Sequence, residues 1–123
     1  MPPERRHSAT EGPPMDDLTA LARQQLDDAK ADPHGRSARL FLHDGPLRQT
    51  VIALIGGASL DEHVSPPAGS VQILHGHVQI TTGDGKQDMI AGQVAPVPRE
   101  KHGVTAVENS ALLLTSVTHV DGM

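Results

Sequence analysis

The chain has 123 residues, which is enough for one domain with a buried core but not for two. It carries 15 acidic and 10 basic residues, for a net charge of −5, so a nucleic-acid-binding surface, which needs clustered Lys and Arg, is not expected. It has no cysteine, which excludes disulfides, thiolate zinc sites and a cysteine nucleophile. Phe41 is the only aromatic residue, so the core must be aliphatic.

The first 14 residues are rich in proline and contain no Leu, Ile, Val or Phe. Such a segment buries too little apolar surface to offset the entropy lost on ordering, so we predict a disordered tail over residues 1–14. No apolar region of a signal peptide follows the arginines at the N-terminus, and no apolar run approaches the ~18–20 residues of a membrane span. We therefore expect a cytoplasmic protein that does not associate with membranes.

Residues 15–31 show the one clear helical pattern of the chain, because apolar residues recur there at intervals of three and four. The members of this stripe are Leu18, Leu21, Ala22, Leu26 and Ala29. Asp16 and Asp17 are suitable N-caps, and the run from Asp32 to Gly35 ends the helix. We assign residues 15–36 to an amphipathic helix and a linker, and the helix must pack against the domain or against a partner subunit.

From residue 37 the pattern changes to short β-branched and Leu-rich runs separated by turn residues, which is typical of an all-β sandwich or barrel. The runs cover residues 39–43, 47–55, 70–82, 87–97, 103–107 and 111–117. Thr82–Gly85 predicts a hairpin turn. Gly76 interrupts a long run, and a glycine inside a strand is where a bend can reset the buried face. We predict one β-domain over residues 37–120.

Two groups of residues in this domain are similar to the sequence motifs of the cupin superfamily. Gly57, His63 and Gly76 have the spacing of the first motif, G-x5-H-x-H-x3–4-E-x6-G. Gly92 and Pro98 have the spacing of the second, G-x5-P-x-G-x2-H-x3-N, although the step from Pro98 to His102 is one residue short and Glu100 replaces the glycine. The resemblance covers about residues 38–118 and is closest to small single-domain bacterial cupins.

The resemblance implies a double-sheet barrel of jelly-roll type, preceded here by one N-terminal helix, and a homodimer. In metal-binding cupins, three His and one Glu hold a divalent ion at the barrel mouth. At those positions this chain has His63, Ser65, Gly69 and His102. A serine hydroxyl is a poor ligand for such ions and glycine has no side chain, so the resemblance implies a degenerate metal site.

Two hypotheses about function remain open. The first is a small-molecule-binding or regulatory cupin without a tight metal site, with His63, Ser65, His75 and His102 as the polar points of an aliphatic pocket. The alternative is a metal-dependent enzyme of dioxygenase, isomerase or cyclase type, in which His63, His75 and His102 hold Zn, Ni, Fe or Mn.

Strand alternation is the basis for including His75, since it shares parity with Val71 and Ile73 and should face the barrel interior. His77 has the opposite parity and should face outward. No catalytic residue can be assigned from the sequence, and the ligand is an unidentified small molecule rather than a nucleic acid.

Overall fold

The computed structural model describes residues 15–63 and 65–118, so the predicted tail over residues 1–14 lies outside the described residues. Within these ranges there are one helix and nine strands. They are α1 (Leu18–Ala31), β1 (Arg36–Asp44), β2 (Leu47–Leu54), β3 (Ser59–His63), β4 (Ala68–His75), β5 (His77–Thr82), β6 (Gly85–Ile90), β7 (Val94–Pro96), β8 (His102–Ala106) and β9 (Ser110–Val117). The helix in this part of the chain is too short and too polar to cross a bilayer.

The strands form two antiparallel sheets with apolar side chains between them, which confirms the predicted fold class. One sheet has five strands in the order β1-β2-β9-β4-β7, and the other has four in the order β3-β8-β5-β6. Aliphatic side chains from both sheets make the core, and methionine is its only other large member. The buried members are Ile52, Leu54, Val71, Ile73, Val78, Ile80, Met89, Val104, Ala106 and Leu112.

Helix α1 covers the outer face of the five-stranded sheet, so it packs against its own domain rather than depending on a partner subunit. Leu21 of the helix contacts Val51 of β2 and Leu113 of β9. Strand β2 is therefore buried on both faces, since Ile52 and Leu54 point into the core between the sheets. Burial on both faces explains why this run is apolar at successive positions rather than alternating.

The helix begins and ends as its sequence predicts. The Asp17 carboxylate accepts hydrogen bonds from the N–H groups of Thr19 and Ala20 at 2.9 and 3.2 Å, which satisfies two donors that have no partner inside the helix. After the last turn, the Asp32 carboxylate accepts from the N–H groups of His34 and Arg36, at 2.8 and 3.2 Å. These bonds turn the chain directly into β1.

Two features of the β-domain differ from the sequence prediction. Strand β3 is missing from the predicted runs, because only one of its five residues, Leu60, is aliphatic. The run over residues 87–97 is not one strand but parts of β6 and β7, which belong to different sheets. The predicted hairpin is confirmed, with Thr82 paired to Gly85 across a two-residue turn.

The chain crosses from one sheet to the other at Gly76, the single residue between β4 and β5. Gly76 has φ +89°, in the left-handed region that L side chains rarely adopt. A Cβ atom there would lie 2.4 Å from the Asn109 carbonyl oxygen and 2.4 Å from the Ser110 hydroxyl. Both the backbone angle and the available space therefore require glycine at the crossing.

Gly76→Ala should lower the free energy of unfolding by at least about 2 kcal/mol, because backbone strain and a steric clash act together. Gly92→Ala is the matched control, since Gly92 has φ +92° but no atom within 4 Å of an added Cβ. Urea unfolding of both variants measures the difference. Equal losses for the two variants would contradict the close approach at Gly76.

Candidate functional site

A small aliphatic cavity lies between the two sheets, and the one polar side chain among its described lining residues is an imidazole. Its lining residues are Ile52, Leu60, Val71, Ile80, Val97, Pro98, His102, Val104, Leu112 and Leu114. Its volume, taken as the space open to the centre of a water molecule, is about 30 Å³, which is room for one or two waters. The described part of the lining is therefore apolar except for one hydrogen-bonding side chain.

His102 begins strand β8 and is buried, with 4% of its surface exposed. Its Nδ1 atom lies 3.0 Å from the Glu100 carbonyl oxygen. Because a carbonyl oxygen can only accept, this bond places a hydrogen on Nδ1, and in the neutral ring Nε2 then carries the lone pair. The backbone of His102 pairs with that of His63 on β3, but the His63 side chain lies outside the described residues.

Ser65 lies beside His102 and contacts the same stretch of backbone. Its hydroxyl donates to the Pro98 carbonyl oxygen and lies 3.3 Å from the Glu100 carbonyl oxygen and 3.5 Å from His102 Nδ1. The structure thus brings Ser65 and His102 together, but the described lining of the cavity includes His102 and not Ser65. Their described hydrogen bonds hold residues 97–101, the connection between β7 and β8, which we call the wall segment.

Gly69 has the motif position that carries the Glu ligand in metal-binding cupins, and the structure leaves no room there for any side chain. An added Cβ would lie 2.8 Å from the Thr115 carbonyl oxygen and 3.2 Å from a methyl group of Val97. The first of these contacts is with backbone, which cannot move aside cheaply. The position is thus filled by neighbouring atoms and could not hold a glutamate without a shift of the sheet.

The prediction that His75 faces the barrel interior is wrong. Val71 and Ile73 are buried as expected, but the pairing of β4 with β9 shifts between Ile73 and His75. Such a β-bulge adds one residue to the strand and reverses the alternation beyond it. His75 is consequently exposed on the outer face, where it lines a groove against α1 with Leu26 and Leu74.

No group of three or more His, Asp or Glu side chains that could hold a metal ion occurs among the described residues. His75 is directed away from His102, across the five-stranded sheet. Ser65 donates to a carbonyl group, and Gly69 has no space for a ligand. The described residues in this region therefore do not make up the four-ligand centre of metal-binding cupins.

A second, polar cleft lies on the other side of the wall segment, and sequence reasoning missed it. It has a volume of about 340 Å³ and lies between the β5–β6 hairpin and the wall segment. Its lining residues are Ile80, Thr82, Asp84, Gly85, Lys86, Gln87, Pro98 and Glu100. The cleft and the aliphatic cavity share Ile80 and Pro98, so they are adjacent spaces separated by the wall segment.

His77 faces outward on the four-stranded sheet, as predicted. Its Nε2 atom lies 2.9 Å from an Asp88 carboxylate oxygen, which also accepts a 3.1 Å hydrogen bond from Gln79. The hydrogen bonds from His77 and then from Gln79 lower the pKa of Asp88 below its ordinary value. This cluster joins β5 to β6 and does not contact the cavity.

The fold is similar to several solved structures. A cupin superfamily protein from Desulfitobacterium hafniense aligns with a TM-score of 0.63 and 20% identity, over 68% of this chain and 78% of that one. A conserved protein of unknown function from Streptococcus pyogenes aligns with a TM-score of 0.64 and 28% identity, over 72% and 79%. Salicylate 1,2-dioxygenase from Pseudaminobacter salicylatoxidans aligns with a TM-score of 0.68 and 13% identity, over 80% and 33%. The sequence matches no protein-family model, and comparison with curated proteins finds no significant relative.

Asp88→Asn should reduce stability above pH 4 and should make little difference in stronger acid. A carboxyl with a pKa below its unfolded value of about 3.8 stabilises the fold above that value, and the effect disappears as pH falls through the lowered pKa. The difference is small, because Asp88 is 61% exposed. Melting temperatures of wild type and variant at pH 7 and pH 3 measure it.

Carbon-detected NMR titration of Asp88 in His77→Ala provides the control. The hydrogen bond from His77 lowers the Asp88 pKa more than any other contact, so its loss should return that pKa toward its ordinary value. An unchanged pKa in His77→Ala would show that His77 is not the cause.

Proposed function

Because the chain has the cupin fold, we propose that it binds a small apolar molecule between its sheets, without a tightly held metal ion. The observation that carries this proposal is the aliphatic cavity with one buried imidazole. Apolar walls stabilise a ligand by removing its hydrocarbon surface from water, and a single hydrogen-bonding group can orient it. A regulatory or sensing role is consistent with binding of this kind.

Three features of the site argue against a tight metal centre. Ser65 replaces one imidazole ligand and bonds the wall segment, and Gly69 cannot carry a carboxylate. His102 is the single described imidazole in the cavity lining. Tight divalent sites in proteins usually have three or four protein ligands, so any ion held here would exchange readily.

The alternative function, a metal-dependent dioxygenase, isomerase or cyclase, requires a rebuilt site of His63, His75 and His102. The outward position of His75 removes one of these three ligands. The structural likeness to salicylate 1,2-dioxygenase has only 13% identity and supports a shared fold rather than a shared reaction. We therefore favour binding without metal-dependent catalysis.

The expected homodimer and cytoplasmic location stay predictions. The outermost strands of the two sheets are β1 and β7 in one and β3 and β6 in the other. Uncovered strand edges favour pairing with a second copy, which supports a dimer. Light scattering at micromolar concentration measures the mass in solution.

Small amphiphiles should enter the cavity and change its methyl resonances. We expect saturable chemical-shift changes at Leu112 and Ile52, which line the cavity, on titration with 1-hexanol, hexylamine and hexanoate. The methyl groups of Leu21 and Leu113, which pack between the sheet and α1, are internal controls. If none of the three compounds shifts the cavity methyls at millimolar concentration, the proposal fails.

Protein purified without added metal should contain well under one equivalent of any transition metal. Added nickel or zinc should raise the melting temperature only slightly, because a weakly bound ligand stabilises little. Ser65→His is the positive control, since Ser65 lies next to His102 and the substitution restores the H-x-H pair. Near-stoichiometric metal in the wild type, lost in His102→Ala, would favour the enzyme instead.

A further inference from the structure

The wall segment makes hydrogen bonds with residues 65–69 and with His102. At its start, the Val97 N–H donates to the Gly69 carbonyl oxygen at 3.0 Å. In its middle, the Pro98 carbonyl accepts from Ser65, and Arg99 donates to the Pro67 carbonyl at 3.3 Å. The wall segment therefore depends on side-chain hydrogen bonds more than on a strand ladder.

The local sequence limits how firmly the backbone can hold this segment. Strand β7, which precedes it, has three residues and pairs with β4. Pro96 and Pro98 have no N–H group and cannot donate to a neighbouring strand. Segments with few backbone hydrogen bonds open at a lower free energy than the core, so the wall segment is a weak boundary between two spaces.

The two spaces have complementary chemistry. The described lining of the inner cavity consists of aliphatic side chains and His102, whereas the outer cleft presents the hydroxyl of Thr82 and the amide of Gln87. Two carboxylates, Asp84 and Glu100, and one ammonium, Lys86, also line the cleft. Two carboxylates against one ammonium give the cleft a net negative charge, which disfavours an anionic head group.

We propose that the cavity and the cleft form one binding site for a short aliphatic molecule whose hydrogen-bonding head carries no negative charge, and that the wall segment must move aside to admit it. The hydrocarbon part contacts the aliphatic cavity lining, and the cavity must widen as the wall segment moves, because its present volume has room for only one or two waters. The alcohol or amide head lies in the cleft. Ser65 is a positioning residue that keeps the wall segment closed. The ligand part of this inference rests on the proposed function, whereas the movement of the wall does not.

Amide hydrogen exchange without ligand tests the wall. Ser65→Ala should speed exchange of the Val97 amide about fivefold relative to the amides of the central strand β9, since one hydrogen bond closing the wall is lost. Ser37→Ala is the matched control, because Ser37 also donates one side-chain hydrogen bond, to Gln25 near the helix. It should leave the Val97 amide unchanged relative to β9. If Ser65→Ala speeds hydrogen exchange equally at all amides, the proposal that the wall segment moves independently is wrong.

The test remains decisive if Ser65→Ala does not fold. In the wild type, the Val97 amide should already exchange faster than the amide of Leu112 in β9. Ser65→Thr, which keeps the hydroxyl, should retain the wild-type rate. Equal protection of Val97 and Leu112 in the wild type would overturn the proposal without any variant.

Binding of 1-hexanol and hexanoate tests the ligand class. Dissociation constants measured from the Leu112 methyl shift should be lower for 1-hexanol than for hexanoate. Ser65→Ala should lower the apparent dissociation constant of 1-hexanol about fivefold, because that constant falls as the fraction of molecules with an open wall segment rises. Tighter binding of hexanoate than of 1-hexanol would overturn the preference for a head group without negative charge and leave the proposed function intact. If Ser65→Ala selectively speeds exchange of the Val97 amide but neither compound binds, the movement of the wall segment is confirmed and the proposed ligand class is wrong.

Discussion

The close contact between Gly76 and Ser110 determines how strand β4 of one sheet is joined to strand β5 of the other. The chain passes from β4 to β5 through Gly76 alone, and the buried Ser110 hydroxyl accepts from the His77 N–H at 2.9 Å. The same hydroxyl lies 2.7 Å from the Glu108 carbonyl oxygen, to which it can donate. Ile73 before the crossing and Val78 after it are both fully buried. One glycine and one serine thus fix the connection through which β4 leads into β5, between two buried core residues.

The departures from the metal-binding motif are consistent with one another. Ser65 uses its hydroxyl to hold a carbonyl of the wall segment, and the space that a Gly69 side chain would need is taken by Thr115 and Val97. His102 directs its Nδ1 hydrogen to the Glu100 carbonyl. Two positions that match ligands of metal-binding cupins, Ser65 and His102, therefore contact the backbone between β7 and β8 here. This exchange of roles keeps buried polar groups hydrogen-bonded, which an apolar cavity requires.

Sequence patterns predicted the parts of the fold that depend on local physics. The helix follows from its apolar spacing and the Asp17 cap, and the hairpin follows from Thr82–Gly85. The crossing at Gly76 was expected as a bend, because glycine tolerates the required backbone angle. The nearness of Ser65 and His102 followed from the motif spacing. The polar strand β3 could not be recognised, because its pairing with β8 rather than its composition makes it a strand.

The sequence by itself therefore determined the class of fold, the aliphatic character of the core, and the loss of two metal-ligand side chains, since these depend on residue identity and short-range spacing. Tertiary structure alone decided which face His75 occupies, because the β-bulge that turns it outward arises from pairing with β9, about 36 residues away along the chain. It also decided that Ser65 and His102 contact the wall segment and that a polar cleft adjoins the cavity. The contacts of the wall segment and the position of the cleft both depend on strands that come together from distant parts of the chain, and a local sequence pattern does not predict which strands come together.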